Sequence, residues 1–339
     1  MLITKVGQVL IVCSLINFIA ANNYRCFYQH VFAHYFGKKV ISCDFVKVNY
    51  GKDESFNAVP PIEAKWNWTE VYDYDDFENS VVQVSFINSW LHNVPNTIFS
   101  TFKNLQAFNG SHMALKELTS LSFNKADYLQ YIFLQNNHLT VIRDHVFVHC
   151  KNLKSLDLSK NRIKSISKNA FNSLEYLEQL NLSGNKIRKI DHDIFQSLIS
   201  MQYIWLSYNQ LQEMPSNYFK EQNQKLVSIY LNNNKLTAIS PYAFEKLTHL
   251  KFLFLTGNKC VNADFMNYEI SNNVGVKYEL KHCIKAFRKT HPDEEKRFNI
   301  TAKISDIKEK MELCKTSNDK LLDEEKSMLD SIQKLNETE

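Results

Sequence analysis

Glycine and proline are scarce, with 7 and 6 among 339 residues. A collagen-like or Gly/Pro-rich low-complexity chain is therefore excluded. Turns must rest on other residues, and asparagine is plentiful. Charge of one sign is lacking too. The net charge is only +4 and the signs are mixed along most of the chain, which argues against nucleic acid as the main partner. The sequence contains no Gly-rich phosphate loop, nucleophile elbow or zinc-protease motif. No enzyme, catalytic residue or cofactor is expected. His30 and His34 stand four apart, as do His145 and His149, but neither pair has an evident third ligand, so no metal site is expected. Beyond the first residues no stretch is apolar enough to span a bilayer.

The one apolar run lies at the start. Lys5 precedes the stretch from Val9 to Ile19, which ends in Ala20 and Ala21. A basic residue, a short apolar core and small residues make the pattern of a secretory signal, assigned here to residues 1–21. A membrane anchor is the alternative, and the shortness of the run speaks against it. The polar C-terminus carries no lipid-anchor signal. The expected location is secreted and extracellular.

Leucine-like residues recur with a fixed period. The clearest windows are Leu129, Ile132, Leu134, Asn137, Leu139 and Leu153, Leu156, Leu158, Asn161, Ile163. Eight units begin at 81, 105, 129, 153, 177, 201, 226 and 250, a step of 24 with one of 25. In each, the apolar positions ahead of asparagine point inward from a short strand, and stacking puts these strands into one parallel sheet on a concave face. Asn137, Asn161, Asn185, Asn209, Asn234 and Asn258 should form an internal ladder, because a buried amide needs backbone partners. Ser89 and Met113 replace that asparagine in the first two units. The return half carries a second apolar pattern, as in Ile166, Phe171, Leu174 and Ile239, Phe244, Leu247.

These residues resemble the 24-residue extracellular class of leucine-rich repeats, over residues 81–259. The resemblance implies an α/β repeat solenoid: a horseshoe with a parallel concave sheet. Solenoid ends expose core edges and need caps. Cys26 and Cys43 stand just before the repeats, and Cys260 and Cys283 just after. Disulfide-closed caps suit a secreted protein, so the pairs Cys26–Cys43 and Cys260–Cys283 are expected. The caps are assigned to residues 22–80 and 260–284, and a linker to 285–299. Cys150 stands where other units have Leu174, Leu198 and Leu247, and reads as a buried free thiol. Cys314 remains without a partner, which points to an intermolecular bond.

Past Pro292 the repeat is lost. Residues 300–336 keep an apolar 4-3 spacing through Ile300, Ile304, Ile307, Met311, Cys314, Asn318, Leu321, Glu325, Met328, Ile332 and Leu335. That is a coiled-coil signal. Cys314 at a d position faces its counterpart in a parallel pair, and Asn318 at an a position fixes register. Lys303, Lys308, Lys310 and Lys315 flank the seam. They would repel in a homodimer and favour a heterodimer with a more acidic helix. A homodimer, and a helix packed back on its own solenoid, remain open.

Alternate strand residues point to the concave face. These include Tyr131, Phe133, Tyr203, Trp205, Tyr208, Tyr230, Phe252 and Phe254, with Lys154, Asp157, Glu178 and Asn181 between. Trp205, Tyr230 and Phe254 should form a contiguous row. Exposed aromatic clusters mark protein interfaces, although such rings also simply stack on each other. Glycosylation sequons start at Asn67, Asn109, Asn181, Asn299 and Asn336. Tyr72, Tyr74 and Glu78 belong to an acidic tyrosine run, either a docking segment or a solvated loop.

The order of signal, cap, solenoid, cap and heptad helix resembles the secreted leucine-rich immune proteins of mosquitoes and related insects. That resemblance implies chains joined through C-terminal coiled coils and an interchain cysteine, carrying thioester proteins. Capping cysteines are sparser here than that family's pattern. An extracellular matrix or adhesion component and a soluble receptor-like ligand binder are the alternatives. On non-reducing gels of the protein in its native fluid, a band of about twice the chain mass is expected. Cys314→Ser should abolish it, and a monomer under both conditions would discard the interchain disulfide.

Overall fold

The computed structural model describes residues 23–25, 27–33, 38–46, 48–50, 57–59, 81–266 (except 96, 217, 223, 245 and 246), 274–293 and 296. The proposed signal, Cys26, the acidic tyrosine run and the heptad segment lie outside the described residues.

The parallel sheet follows from the repeat. Its strands are β1 Phe27–Ala33, β2 Lys38–Val46, β3 Val81–Ile87, β4 Ala107–Asn109, β5 Tyr131–Phe133, β6 Ser155–Asp157, β7 Gln179–Asn181, β8 Tyr203–Trp205, β9 Ser228–Tyr230, β10 Phe252–Phe254 and β11 Asp264–Met266. They line up in chain order as one eleven-stranded sheet. Strands β2 to β10 are mutually parallel. At each end the last strand, β1 or β11, runs antiparallel. Each of the eight repeat units contributes one strand, so the fold is a leucine-rich-repeat-type horseshoe.

The inward positions of each unit are sealed. Ile132, Leu134, Leu139, Leu180, Leu182, Ile187, Ile204, Ile229 and Leu253 are buried. Burying a leucine-sized side chain contributes roughly 1.5–3 kcal/mol, so the stacked units form one continuous core. On the convex side a phenylalanine column backs the sheet. Phe99, Phe123, Phe147 and Phe171 follow one another at centroid distances of 5.7, 5.5 and 6.2 Å, and Phe195 stacks on Phe219 at 5.7 Å. Cys150 is a buried free thiol in this layer. Burial first, and the charge of Asp127 second, push its pKa far up, so it is an inert core residue.

The asparagines staple one unit to the next. Asn185 donates to Leu182 O at 2.9 Å in its own unit and to Leu158 O at 3.0 Å in the previous one. Its Oδ1 accepts from Ile163 N at 3.0 Å. Asn137, Asn161, Asn209, Asn234 and Asn258 repeat this pattern. At the first rung Ser89 substitutes: its Oγ accepts from Val48 N and donates to Ile87 O, both at 3.0 Å.

The second rung is a coupled exchange. Met113 replaces asparagine, and Gly110 stands where Leu134 and Leu158 stand in later units. A Cβ on Gly110 would lie 2.6 Å from Met113 Cε and 2.7 Å from Phe108 Cε1. Met113, buried, therefore fills the volume that a leucine at 110 would take.

Both ends are closed. Cys43 is buried and disulfide-bonded. Cys260 and Cys283 form a disulfide. Asp264 Oδ1 accepts from Leu255 N and Thr256 N, each at 2.9 Å, and Asn262 Oδ1 accepts from Gly257 N at 2.8 Å. Burial would raise the Asp264 pKa, but the hydrogen bonds from Thr256 and Leu255 hold it below the usual carboxylate range. Helices α1 Val274–Glu279 and α2 Lys281–Thr290 follow. Leu280, Cys283 and Phe287 are buried, and α2 packs against the convex strand Ala238–Ile239. The cap helix thus runs through Thr290, past the boundary at 284 drawn from the cysteines. The reason is Phe287, an apolar residue one helical turn beyond Cys283.

Gly110→Leu should cost about 2–3 kcal/mol through overpacking, read as a lowered thermal midpoint. Adding Met113→Asn should recover part of that loss. A double variant no better than Gly110→Leu alone would refute the exchange.

Candidate concave binding face

Register places the aromatic residues in columns. Asn181, Trp205, Tyr230 and Phe254 are direct neighbours on β7 to β10. Tyr203 and Phe252 lie two residues earlier on β8 and β10. The rings of Trp205 and Tyr230 are 5.5 Å apart with planes 15° from parallel. Those of Tyr230 and Phe254 are 4.6 Å apart at 11°. Tyr203 meets Trp205 at 5.9 Å and Phe252 meets Phe254 at 6.5 Å. All five are half-buried. This is the geometry in which aromatic rings contribute most at interfaces, since area is large and little conformational freedom remains to be lost.

The rest of the face is mixed. Tyr131 and Phe133 stand apart from the row. Phe133 lies between Asn109 and Asp157, and Tyr131 between Ala107 and Ser155. Burial, and then the charge of Glu178, raise the Tyr131 pKa, so it is a neutral phenol. Beside Trp205 the face turns polar. Asn181 Nδ2 donates to Asp157 Oδ2 at 3.3 Å, and Asn181 Oδ1 accepts from Ser183 N at 3.1 Å. Asn109 Oδ1 accepts from Ser111 Oγ at 2.8 Å. Of the remaining sequons, Asn67, Asn299 and Asn336 lie outside the described residues, as do the seam residues Ile300 to Leu335 and Cys314.

Tyr208 differs from the others. It follows the strand and is 63% exposed, with φ at +56°. The residue before the ladder position is left-handed in every unit: Asn88, His112, Asn136, Lys160, Gly184, Tyr208, Asn233 and Gly257. Asparagine and glycine adopt this conformation readily, whereas a bulky side chain is strained there by roughly 1–2 kcal/mol. The spacing reading missed this column. Its signal was the Asn/Gly bias one place before each ladder asparagine.

Among the described residues no helix is long and apolar enough to cross a membrane. A family model described as leucine rich repeat matches residues 127–187, 176–221 and 199–259. No match to a curated protein was found. Among solved structures, the TLR13–ssRNA13 complex is similar at 24% identity and a TM-score of 0.48, over 54% of this chain and 30% of that one. The glycosylated Toll–Spätzle complex, described as a hub in Drosophila development and innate immunity, is similar at 19% identity and a TM-score of 0.47, over 53% of this chain and 27% of that one. The chain thus spans less than a third of the length of these proteins.

Tyr208→Asn should raise stability by up to about 1 kcal/mol by relieving the left-handed strain. Chemical denaturation checks this, and a destabilised variant would show that Tyr208 holds the fold. Repeat spacing, ladder geometry and the family match together identify the array as a leucine-rich-repeat solenoid.

Proposed function

We propose that this chain is a secreted, non-enzymatic scaffold whose concave face binds a protein ligand. Within that reading it is an innate-immune recognition or carrier subunit, paired with another leucine-rich-repeat chain through residues 300–336. The observation that carries the binding role is the near-parallel row of half-buried rings at Tyr203, Trp205, Tyr230, Phe252 and Phe254. A sheet face needing only solubility has no use for it, because each ring leaves apolar area in water at about 25 cal/mol per Å². Extracellular placement is supported by the apolar start of the sequence and by the Cys260–Cys283 disulfide, since such bonds persist in oxidising compartments. The immune assignment rests on the order of parts, and the pairing on the heptad spacing and Cys314.

The test is affinity purification from the source fluid with the full chain and with Trp205→Ala/Tyr230→Ala. Removing two central aromatic anchors should weaken capture of the concave-face ligand by at least about tenfold. Unchanged capture of every retained protein would move the binding role off this face.

A further inference from the structure

The C-terminal cap carries charge of one sign. From Val274 to Thr290 it has Lys277, Lys281, Lys285, Arg288 and Lys289 against the single carboxylate of Glu279. In α2, Cys283 and Phe287 are buried, while Lys281, Lys285, Arg288 and Lys289 are exposed. These four stand three or four residues apart, so they share one face along the helix. The helix dipole favours cations in the last turn, which accounts for Arg288 and Lys289. It disfavours Lys281, which opens the helix in a first turn without any acidic residue. Only the Tyr278 ring supports that ammonium, with Nζ 4.3 Å from its centroid.

The helix lies along the repeat axis. Cys283 is bonded to Cys260 of the eighth unit, α2 packs on Ala238–Ile239 of the seventh, and His291 Nε2 lies 3.6 Å from Glu213 Oε2 of the sixth. From Cys283 to His291 the helix rises about 12 Å, close to two unit steps of about 4.8 Å each. Its line of cations therefore aims at the fifth unit. There and in the fourth unit, the flank leaving the sheet presents Arg162, Lys164, Lys186 and Arg188, all exposed. One repeat step sets Lys186 beside Arg162 and Arg188 beside Lys164, and Lys186 N–H bonds Ile163 O between the units. Arg188 Nε donates to Gln210 Oε1 of the sixth unit at 3.2 Å, toward the helix end. Among the described residues no ion pair holds Lys281, Lys285, Lys289, Arg162, Lys164 or Lys186. Asp191 and Asp193, beyond this flank, lie against His192 and Lys168. The other flank, where the chain returns to the sheet, alternates in sign: Lys103, Asp127, Lys151 and Glu175 follow at the same step.

We propose that this basic band, roughly 20–25 Å from Lys281 to Lys164, binds a sulfated glycosaminoglycan chain. Cations about 5 Å apart along a line match a linear polymer with anions repeated along it, and a single small anion would use few of them. Arginine supplies paired donors to a sulfate and lysine a point charge. A membrane surface fits less well, because the apolar side of α2 is buried in the core and has nothing to insert. Single-stranded nucleic acid calls for stacking platforms, and the band offers only Tyr278, already covered by Lys281.

The probe is a heparin dodecasaccharide titrated calorimetrically into the full chain, with the same sugar stripped of sulfate as control. The wild-type chain should bind the sulfated form and not the desulfated one. Lys281→Gln/Lys285→Gln/Lys289→Gln and Arg162→Gln/Lys164→Gln/Lys186→Gln should each weaken binding about tenfold, the sum of three exposed ion pairs. Lys103→Gln/Lys151→Gln/Lys225→Gln removes the same charge elsewhere and should change affinity less than about twofold. Circular dichroism matches each variant to wild type, and Lys285→Glu or Lys164→Glu, each weakening binding, replaces a triple that fails to fold. No binding by wild type, equal loss in the third variant, or loss in only one of the first two would overturn the band. Equal affinity for oligothymidylate or for phosphatidylserine vesicles would overturn the choice of a sulfated glycan.

Discussion

A buried asparagine amide that grips two turns of backbone at once is the interaction on which this molecule depends. Each rung joins a carbonyl of its own unit, a carbonyl of the unit before and an N–H of the unit before, as Asn185 does. Without that amide the Ile163 N–H would be buried unpaired, at roughly 1–3 kcal/mol, and Leu158 O and Leu182 O would each lose one of two asparagine donors. The rung forces consecutive units into one register, and the 24-residue period follows. Once register is set, Ile204 stacks on Leu180 inside and Trp205 on Asn181 outside. The concave surface is therefore a lattice of columns, and its chemistry is read one column at a time.

The ladder leaves the ends of the sheet open, and the ends are treated alike. An antiparallel strand closes each edge, β1 beside β2 and β11 beside β10. Reversing direction breaks the repeat geometry, so another unit cannot add on. Asp264 and Asn262 take over the Leu255 and Gly257 N–H groups that a ninth unit would have paired. The depressed pKa of Asp264 makes its contribution present above the ordinary carboxylate range and lost as pH falls through the folded value. The disulfide then pins helix α2 across the exposed core.

Period, strand positions and ladder were legible in the sequence because each rests on one residue type at one spacing. The row at Trp205, Tyr230 and Phe254 followed from the same arithmetic. Other features were hidden because they depend on two positions acting together. Gly110 reads as a plain loss of a core leucine until Met113 is seen occupying its volume. Tyr208 reads as one more concave aromatic until its left-handed backbone sets it apart. Ser228 reads as a small polar residue until register places it between Tyr203 and Phe252. The antiparallel edge strands carry no repeat, so periodicity was blind to them, and Phe287 was masked by the charged residues around it.

The mixed half of the face, from Asn109 to Asn181, and the aromatic half, from Tyr203 to Phe254, make the solenoid two-sided along its length. A ligand that uses the rings is held at the C-terminal end, close to the cap. Hydrogen–deuterium exchange of the chain with and without its captured ligand tests this most directly. Protection concentrated on 203–205, 228–230 and 252–254 is the predicted result. Protection confined to the convex side or to the units before residue 201, with those strands unchanged, would contradict it.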